Sequence, residues 1–569
     1  MHGRLKVKTT AEQQEEKRKE RAKKLVIYKA AITKTFQKRE NKEFDDEAID
    51  INHQLLLANP DITTEGDIND LFNKELSFTE SCLRVNPKSY GAWFHRCWVL
   101  DTMPNPDWQK EHVLCDRFLE LDERNFHCWD HRRFVVKRAN ISPEEELKFS
   151  IKLINSNFSN YSAWHYRSKL LPLVYPDRDN QLNIREDIRL EELDLVQNAA
   201  FTDPNDQSAW FYHRWLLGKA KPALIEEPVK LLCLYVNRAE HFLIVTMKKA
   251  VNLKSSCYNL KVTVDKQIVD GNWRSTSAHE TVSCVWILDL PPDVLKIESS
   301  KKIDVSVSGF FEETKKLTVV FKNNTESWAY SIPDYSNYFR INLSAAETSL
   351  LENELESCIQ LKELEPDNKW ACLTTIFLMR VIDPDKYETE ILTQLRTLEL
   401  SEIDVNRINY YRDMYSKFLT ENIIKGMPLI PHCDCDDISQ QQQHREVKIP
   451  KDLTAIYNFE HLILVTKLDL SNNQLRSLKQ LHPLQCLREL LVASNLINDC
   501  SGLENLSLLE SVDLDNNKIE TTNDLAPLKA CSKLTFLSLL NNPIENQYQE
   551  ANVWIKENLP HLSIFKYKI

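Results

Sequence analysis

A short segment recurs four times between residues 86 and 214, and this repetition constrains the fold more than any other feature of the chain. The copies read Asn86-Pro87-Lys88-Ser89-Tyr90-Gly91-Ala92-Trp93-Phe94-His95-Arg96, Glu123-Arg124-Asn125-Phe126-His127-Cys128-Trp129-Asp130-His131-Arg132-Arg133, Asn157-Phe158-Ser159-Asn160-Tyr161-Ser162-Ala163-Trp164-His165-Tyr166-Arg167 and Asp203-Pro204-Asn205-Asp206-Gln207-Ser208-Ala209-Trp210-Phe211-Tyr212-His213-Arg214. The tryptophans stand 36, 35 and 46 residues apart. Such periods belong to helix hairpins stacked as a solenoid, here with an insertion before the last copy. Each copy carries near its start Asn, Asp, Ser or Pro, residues that start helices, and the Trp follows about a turn and a half later, where its ring can wedge between hairpins. Arg96, Arg132, Arg167 and Arg214 are read as sharing the helix face of Trp93, Trp129, Trp164 and Trp210. A cation at a hairpin seam needs an acidic or carbonyl partner, so all eight are expected to be structural.

A second repeat occupies the C-terminal end. Leu468-x-Leu470-x-x-Asn473-x-Leu475, Leu490-x-Val492-x-x-Asn495-x-Ile497, Val512-x-Leu514-x-x-Asn517-x-Ile519 and Leu537-x-Leu539-x-x-Asn542-x-Ile544 are leucine-rich repeats, their Asn positions 22, 22 and 25 residues apart. Apolar residues stack into the core while the Asn side chains satisfy buried backbone groups. Such modules bind proteins and carry no chemistry of their own.

Between the two arrays the period changes from 3.6 to 2. Residues 242–246, 260–264, 282–288, 303–307 and 317–321 alternate or are β-branched, which predicts a small immunoglobulin-like β-sandwich. Helix returns at Ser344-Ala345-Ala346-Glu347, which has the form of a capping box, ahead of an amphipathic run through Leu351, Leu355, Ile359 and Leu364. Glu365-Pro366-Asp367-Asn368-Lys369-Trp370 then reads as a degenerate repeat without the following Arg, so the sandwich is an insertion in the solenoid. Residues 431–447 look like a linker. The expected organisation is multidomain: helical hairpins over 1–231, sandwich over 232–343, helices again over 344–440 and leucine-rich repeats over 441–569.

Composition excludes several functions. The eight glycines, at positions 3, 66, 91, 218, 271, 309, 426 and 502, are too dispersed for a Walker loop or a dinucleotide-binding turn. A net charge of −12 argues against a general nucleic-acid binder, although residues 1–42 hold fourteen Lys or Arg against five Glu, a run best read as a solvated helix face. No stretch approaches the ~18 apolar residues of a membrane span, and the polar N-terminus lacks a secretory h-region, so a cytoplasmic protein is expected. The fourteen cysteines are scattered and read as reduced thiols. His432 beside Cys433 and Cys435 is too cramped for a tetrahedral metal site.

The block Pro87-Lys88-x-Tyr90-x-x-Trp93-x-x-Arg96, with the later Trp-x-x-Arg copies, resembles the α subunits of the protein prenyltransferases. The order of helical repeats, inserted sandwich, returning helices and leucine-rich repeats is similar to the Rab geranylgeranyltransferase type. That resemblance implies a β subunit that holds zinc and the lipid diphosphate. It also implies transfer of geranylgeranyl from geranylgeranyl diphosphate to C-terminal cysteines of Rab GTPases presented by Rab escort protein. The implied cation for the leaving diphosphate is Lys88, from the Pro-Lys-x-Tyr motif at a helix start whose dipole favours an anion. Tyr90, Asn125 and His127 are implied beside the same mouth as substrate-binding residues. Phe126 stands where the family often has Tyr. His2, on a basic N-terminal tail, is a speculative ligand to the partner's zinc. The alternative reading is a non-enzymatic repeat scaffold or an inactive isoform, which would tolerate loss of Lys88, Tyr90 and His127.

One departure stands out. After Ala58-Asn59-Pro60-Asp61 a Trp-Asn-x-Arg-Arg helix is expected, but the chain reads Ile62-Thr63-Thr64-Glu65-Gly66-Asp67 and passes to the next helix. Loss of part of a terminal repeat is expected to weaken that end of the solenoid or its grip on a partner.

Overall fold

The computed structural model describes residues 11–41, 45–58, 68–103, 105–177, 184–218, 229–253, 258–276, 281–295, 301–309, 315–321, 325–331, 339, 341, 348–400, 402–427, 445–449 and 452–566. The chain divides into two compact units, Met1–Gly218 and Lys219–Ile569.

In the first unit α1 (Ala11–Glu40) and α2 (Asp46–Ala58) precede four hairpins. These pair α3 (Ile68–Val85) with α4 (Tyr90–Thr102), α5 (Trp108–Leu121) with α6 (Phe126–Ala139), α7 (Pro143–Ser156) with α8 (Tyr161–Val174), and α9 (Glu186–Thr202) with α10 (Gln207–Leu216). The second helix of each hairpin starts at a residue whose side chain accepts from the first-turn amides: Ser89, Asn125, Asn160 and Asp206. Four residues after each cap comes the Trp, buried to 5% exposure or less. Its indole N–H donates to the carbonyl six residues upstream: Trp93 to Pro87 and Trp129 to Glu123 at 2.8 Å, Trp164 to Phe158 at 2.8 Å, Trp210 to Pro204 at 2.9 Å. Each ring thus fills the seam and locks the turn that precedes its own helix, satisfying a carbonyl the helix itself leaves open.

Polar side chains cross these seams in a regular ladder. Arg96 donates to Glu111 at 2.5 and 2.8 Å, Arg132 to Glu146 at 2.7 and 2.6 Å, and Arg167 to Glu192 at 2.7 and 2.5 Å, each through two nitrogens. The same glutamates meet a group from their own hairpin: His131 Nε2 at 2.7 Å, the Tyr166 hydroxyl at 2.8 Å and the Tyr212 hydroxyl at 2.6 Å. Burial pushes the Glu111 carboxyl up, but its bonds to His131 and Arg96 prevail and hold it at about 2. Glu146 is held at about 2 in the same way by His112 and Arg132. Burial pushes the His131 imidazole down, so it sits neutral, with Nε2–H facing Glu111 and Nδ1 3.1 Å from the Cys97 thiol. Burial likewise pushes that thiol up to about 11.

The fourth hairpin corrects the expected register. His213, three residues after Trp210, occupies the buried seam position, whereas Arg214 lies one residue further round and is exposed. In this array the residue three positions after the Trp sits in the seam, as Arg96, Arg132 and Arg167 do in the earlier hairpins.

In the second unit two antiparallel sheets pack face to face. One runs β5-β6-β2-β1-β9, from β1 (Leu231–Asn237), β2 (Phe242–Val251), β5 (Trp273–Ser275), β6 (Ser283–Asp289) and β9 (Glu326–Tyr330). The other runs β4-β3-β7-β8, from β3 (Tyr258–Val264), β4 (Gln267–Val269), β7 (Lys301–Gly309) and β8 (Lys315–Phe321). Leu234, Val245, Val262, Trp286, Ile303 and Val319 lie in the core between them. The outer face of the first sheet is also buried: Tyr235, Ile244, Ile287 and Trp328 pack on Ile463, Leu464, Cys486 and Leu508 of the leucine-rich repeats. Glu326 accepts from Arg445 at 3.1 Å and Arg488 at 2.5 Å across that junction. Burial on both faces explains why β1, buried at every position, shows no alternation in sequence.

Among the described residues, four helices separate the sandwich from the leucine-rich repeats: α11 (Thr348–Leu364), α12 (Lys369–Ile382), α13 (Glu388–Leu400) and α14 (Ile408–Gly426). The residues of the expected capping box, 344–347, lie outside the described residues. Leu351 and Leu355 are buried, but Leu364 is 74% exposed, and Cys358 and Leu361 continue the core stripe instead. Trp370 is also out of register with the earlier tryptophans. It stands two residues after its cap, Asn368, half-buried under the Arg407 guanidinium at 5.4 Å, and the position four after the cap is the buried Cys372.

The leucine-rich end forms a six-stranded parallel sheet, β10 to β15 in order: Glu446–Lys448, Lys467–Asp469, Glu489–Leu491, Ser511–Asp513, Phe536–Ser538 and Ile564–Lys566. The Asn column does what the spacing predicts. Asn495 accepts from the Leu475 amide at 3.0 Å and donates to the carbonyls of Leu470 and Val492, both at 3.0 Å. Asn473, Asn517 and Asn542 likewise accept from Leu453, Ile497 and Ile519. α15 (Tyr548–Asn558) covers the end of the stack.

Candidate functional site

The turns before α4 and α6 lie side by side and bring the predicted residues together. Asn125 joins them: its Nδ2 donates to the Pro87 carbonyl at 2.8 Å while its Oδ1 accepts from the amides of His127 and Cys128. At 1% exposure with its amide committed on both sides, Asn125 is placed to position the two turns. The Pro87 carbonyl thereby takes two donors, Asn125 and the Trp93 indole.

Lys88 immediately precedes the Ser89 cap, so its side chain stands at the N-terminal end of α4, 64% exposed, with Nζ 3.4 Å from Asp122 Oδ2. Tyr90 is 72% exposed and meets His127 edge-on, ring centroids 4.2 Å apart, with Phe126 6.2 Å away. Burial pushes the His127 imidazole down, Asp130 works against that and Lys88 adds to it, so His127 is neutral at pH 7. The edge therefore offers an exposed cation, a phenol, a neutral imidazole and the amide-rich starts of two helices, a set suited to an anion that gains charge during reaction. An exposed aromatic row continues through Phe94, Phe126, Tyr161 and Phe211 on α4, α6, α8 and α10.

Three features escaped the sequence reading. Asp122 holds Lys88 near the turn. The seam glutamates Glu75, Glu111, Glu146 and Glu192 repeat at 36, 35 and 46 residues, the same intervals as the tryptophans, and that coincidence was the signal. His213 stands at the spacing of the other seam residues. His2, His432, Cys433 and Cys435 lie outside the described residues. Among the described residues no group of three or more His, Cys, Asp or Glu is placed to hold a metal, and no helix is long and apolar enough to cross a membrane.

Fold and seam define a class: chains of helical hairpins stitched by Trp, Arg and Glu, carrying a β-sandwich and a leucine-rich stack. Residues 72–103, 108–139, 143–173 and 189–220 match the protein prenyltransferase alpha subunit repeat, residues 231–331 the insert domain of the Rab geranylgeranyl transferase alpha subunit, and residues 443–569 a leucine-rich repeat family. The geranylgeranyl transferase type-2 subunit alpha of Bos taurus is 43% identical over 587 aligned positions, covering 99% of both chains. The protein of that name from Homo sapiens is 44% identical over 527 positions, covering 88% of this chain and 89% of its own, and that from Dictyostelium discoideum is 38% identical over 241, covering 39% and 76%. The chain belongs to the family of geranylgeranyl transferase type-2 α subunits. Its alignment with the bovine protein has more positions than this chain has residues, so the relative carries residues without counterpart here.

Proposed function

We propose that this chain is the α subunit of a heterodimeric Rab geranylgeranyltransferase. It works with a β subunit in the cytoplasm to transfer geranylgeranyl from geranylgeranyl diphosphate to C-terminal cysteines of Rab GTPases presented by Rab escort protein. The observation that carries this reading is likeness to a type-2 α subunit over 99% of both chains. The zinc of the complex is assigned to the β subunit, as the resemblance to the prenyltransferase α subunits implies. Function divides along 1–231 and 344–440 for the catalytic partner, and 232–343 and 441–569 for other protein contacts.

The contribution of this chain to chemistry is electrostatic. As the bond from lipid C1 to diphosphate loosens, charge accumulates on the leaving oxygens, and a cation already in place stabilises that state more than the ground state. Lys88 is that cation, able to leave Asp122 for a more highly charged anion. Tyr90 and His127 donate to the same anion from the turn that Asn125 holds in register. Exposed Tyr90, Phe94, Phe126, Tyr161 and Phe211 form the apolar contact for the β subunit.

The test is geranylgeranyl transfer to a Rab–escort complex by this chain co-expressed with a Rab-type β subunit. Transfer is expected to need both chains, and Lys88→Ala to lower kcat roughly 10- to 100-fold with co-purification intact, near the loss from removing one preorganised donor. A folded chain that neither binds the β subunit nor supports transfer would return the reading to a scaffold or inactive isoform.

A further inference from the structure

Lys88 has a counterpart one hairpin further on. Lys88 stands five residues before Trp93 and directly before the cap Ser89, and Arg124 stands five residues before Trp129 and directly before the cap Asn125. The corresponding places in the third and fourth copies hold Ser159 and Asn205, neither of them charged. Among the four copies, a cation therefore occupies this position in the two turns that the bond from Asn125 to Pro87 holds side by side, and not in the others.

One carboxylate serves both positions. Asp122 Oδ1 accepts from the Arg124 amide at 3.1 Å, and its Oδ2 lies 3.4 Å from Lys88 Nζ. The Asp122 amide donates to the Phe118 carbonyl and its own carbonyl accepts from the Asn125 amide, both at 3.0 Å. The turn that carries Arg124 is thus tied down along its backbone, while the Arg124 side chain is exposed and, among the described residues, makes neither a hydrogen bond nor an ion pair. Beside it His127, 7% exposed, touches Tyr90 and Phe126 with its ring but forms no hydrogen bond among the described residues. A buried imidazole in that state, next to two turns that each present a cation, calls for an acceptor from outside the chain, and the cations make that acceptor an anion.

We propose that Arg124 is a second phosphate-binding cation of this edge, taking the outer phosphoryl group of geranylgeranyl diphosphate while Lys88 takes the inner one. The assignment rests on the α-subunit reading and on the role given there to Lys88. During transfer the bond between lipid C1 and the inner phosphoryl oxygen breaks, its electron pair stays on that oxygen, and the cysteine thiolate sulfur bonds C1. New charge therefore appears at the inner phosphoryl, where a compact ammonium meets it. The outer phosphoryl is charged before and after the reaction, and its terminal oxygens match the two-pronged guanidinium. A contact of equal strength in ground and transition states lowers KM more than it raises kcat, so Arg124 governs affinity for the lipid diphosphate and Lys88 governs rate.

The test uses the complex of full-length chain with a Rab-type β subunit, a Rab–escort substrate, and geranylgeranyl monophosphate as competitor. Arg124→Met is expected to raise KM for geranylgeranyl diphosphate roughly 10- to 100-fold, the loss of one charge-assisted contact, with the smaller part of the loss in kcat. Its inhibition constant for geranylgeranyl monophosphate, which lacks the outer phosphoryl, should stay within about twofold of the unmodified complex. If Arg124→Met no longer co-purifies with the β subunit, Arg124→Lys carries the test: it keeps the charge, loses the fork, and should raise KM for the diphosphate roughly three- to tenfold with monophosphate inhibition unmoved. An unchanged KM, a loss confined to kcat, or equal weakening of mono- and diphosphate would overturn the proposal. An unmodified complex that assembles but transfers nothing removes the α-subunit reading and this assignment together, whereas a normal KM in the variant of an active complex removes the assignment alone.

Discussion

The two repeat arrays bury a column of polar groups with opposite chemistry. In the helical array the backbone bonds are consumed inside each helix, so only side chains can pass between hairpins, and the seams are closed by Arg, Glu, His and Tyr reaching each other. In the leucine-rich stack the turns after each short strand present open amides and carbonyls, and a neutral Asn amide matches both at once. The helical seam consequently depends on protonation and on which hairpin comes before, whereas the Asn column depends on geometry alone.

The largest expected effect comes from breaking a charged seam. Arg132→Met leaves Glu146 buried without its guanidinium and should lower the stability of the first unit by about 3–5 kcal/mol in chemical denaturation. A loss under about 1 kcal/mol would mean that the seams are packed by Trp and held by little else.

Acid should separate the arrays next. A carboxyl whose folded value lies below its unfolded value stabilises the fold above the unfolded value, so the contributions of Glu111 and Glu146 drain away as pH falls from about 4.5 towards about 2. In the leucine-rich sheet the carboxyls pull in opposite directions: burial raises Asp513, which opposes acid unfolding, while burial of Asp469 is outweighed by its bonds to Lys448 and Ser471, which hold it down and favour acid unfolding. Thermal scans from pH 7 to pH 2 should show the helical transition falling faster; equal shifts would break the comparison.

Asn495→Leu orphans the Leu475 amide and frees two carbonyls, for an expected cost of about 2–3 kcal/mol that, unlike the seam cost, barely changes with pH or salt. The smallest effect on stability is expected at Lys88→Ala, within about 0.5 kcal/mol by calorimetry, since the side chain is exposed and its bond to Asp122 is a surface contact. A larger loss would make Lys88 a structural residue.

Much of the fold was legible because it follows from local rules. Caps, hairpin periods and the Asn column depend on residues near one another in the chain, and Ser89, Asn125, Asn160 and Asp206 start helices where their positions imply. The site was legible in part. Lys88, Tyr90 and His127 came from motif resemblance, but the bond from Asn125 to Pro87 spans 38 residues and has no signature in either turn alone. β1 escaped a search for alternation because the leucine-rich stack buries its second face.

By itself the sequence determined the two repeat periods, the capped helix starts, and the types of residue available to each seam, since these rest on backbone propensity and spacing. Only the tertiary structure decided which residue occupies a seam: His213 rather than Arg214, and Cys372 rather than Trp370. The physical reason is that a buried charge is stable only against a specific partner at bonding distance, and that partner comes from a different hairpin.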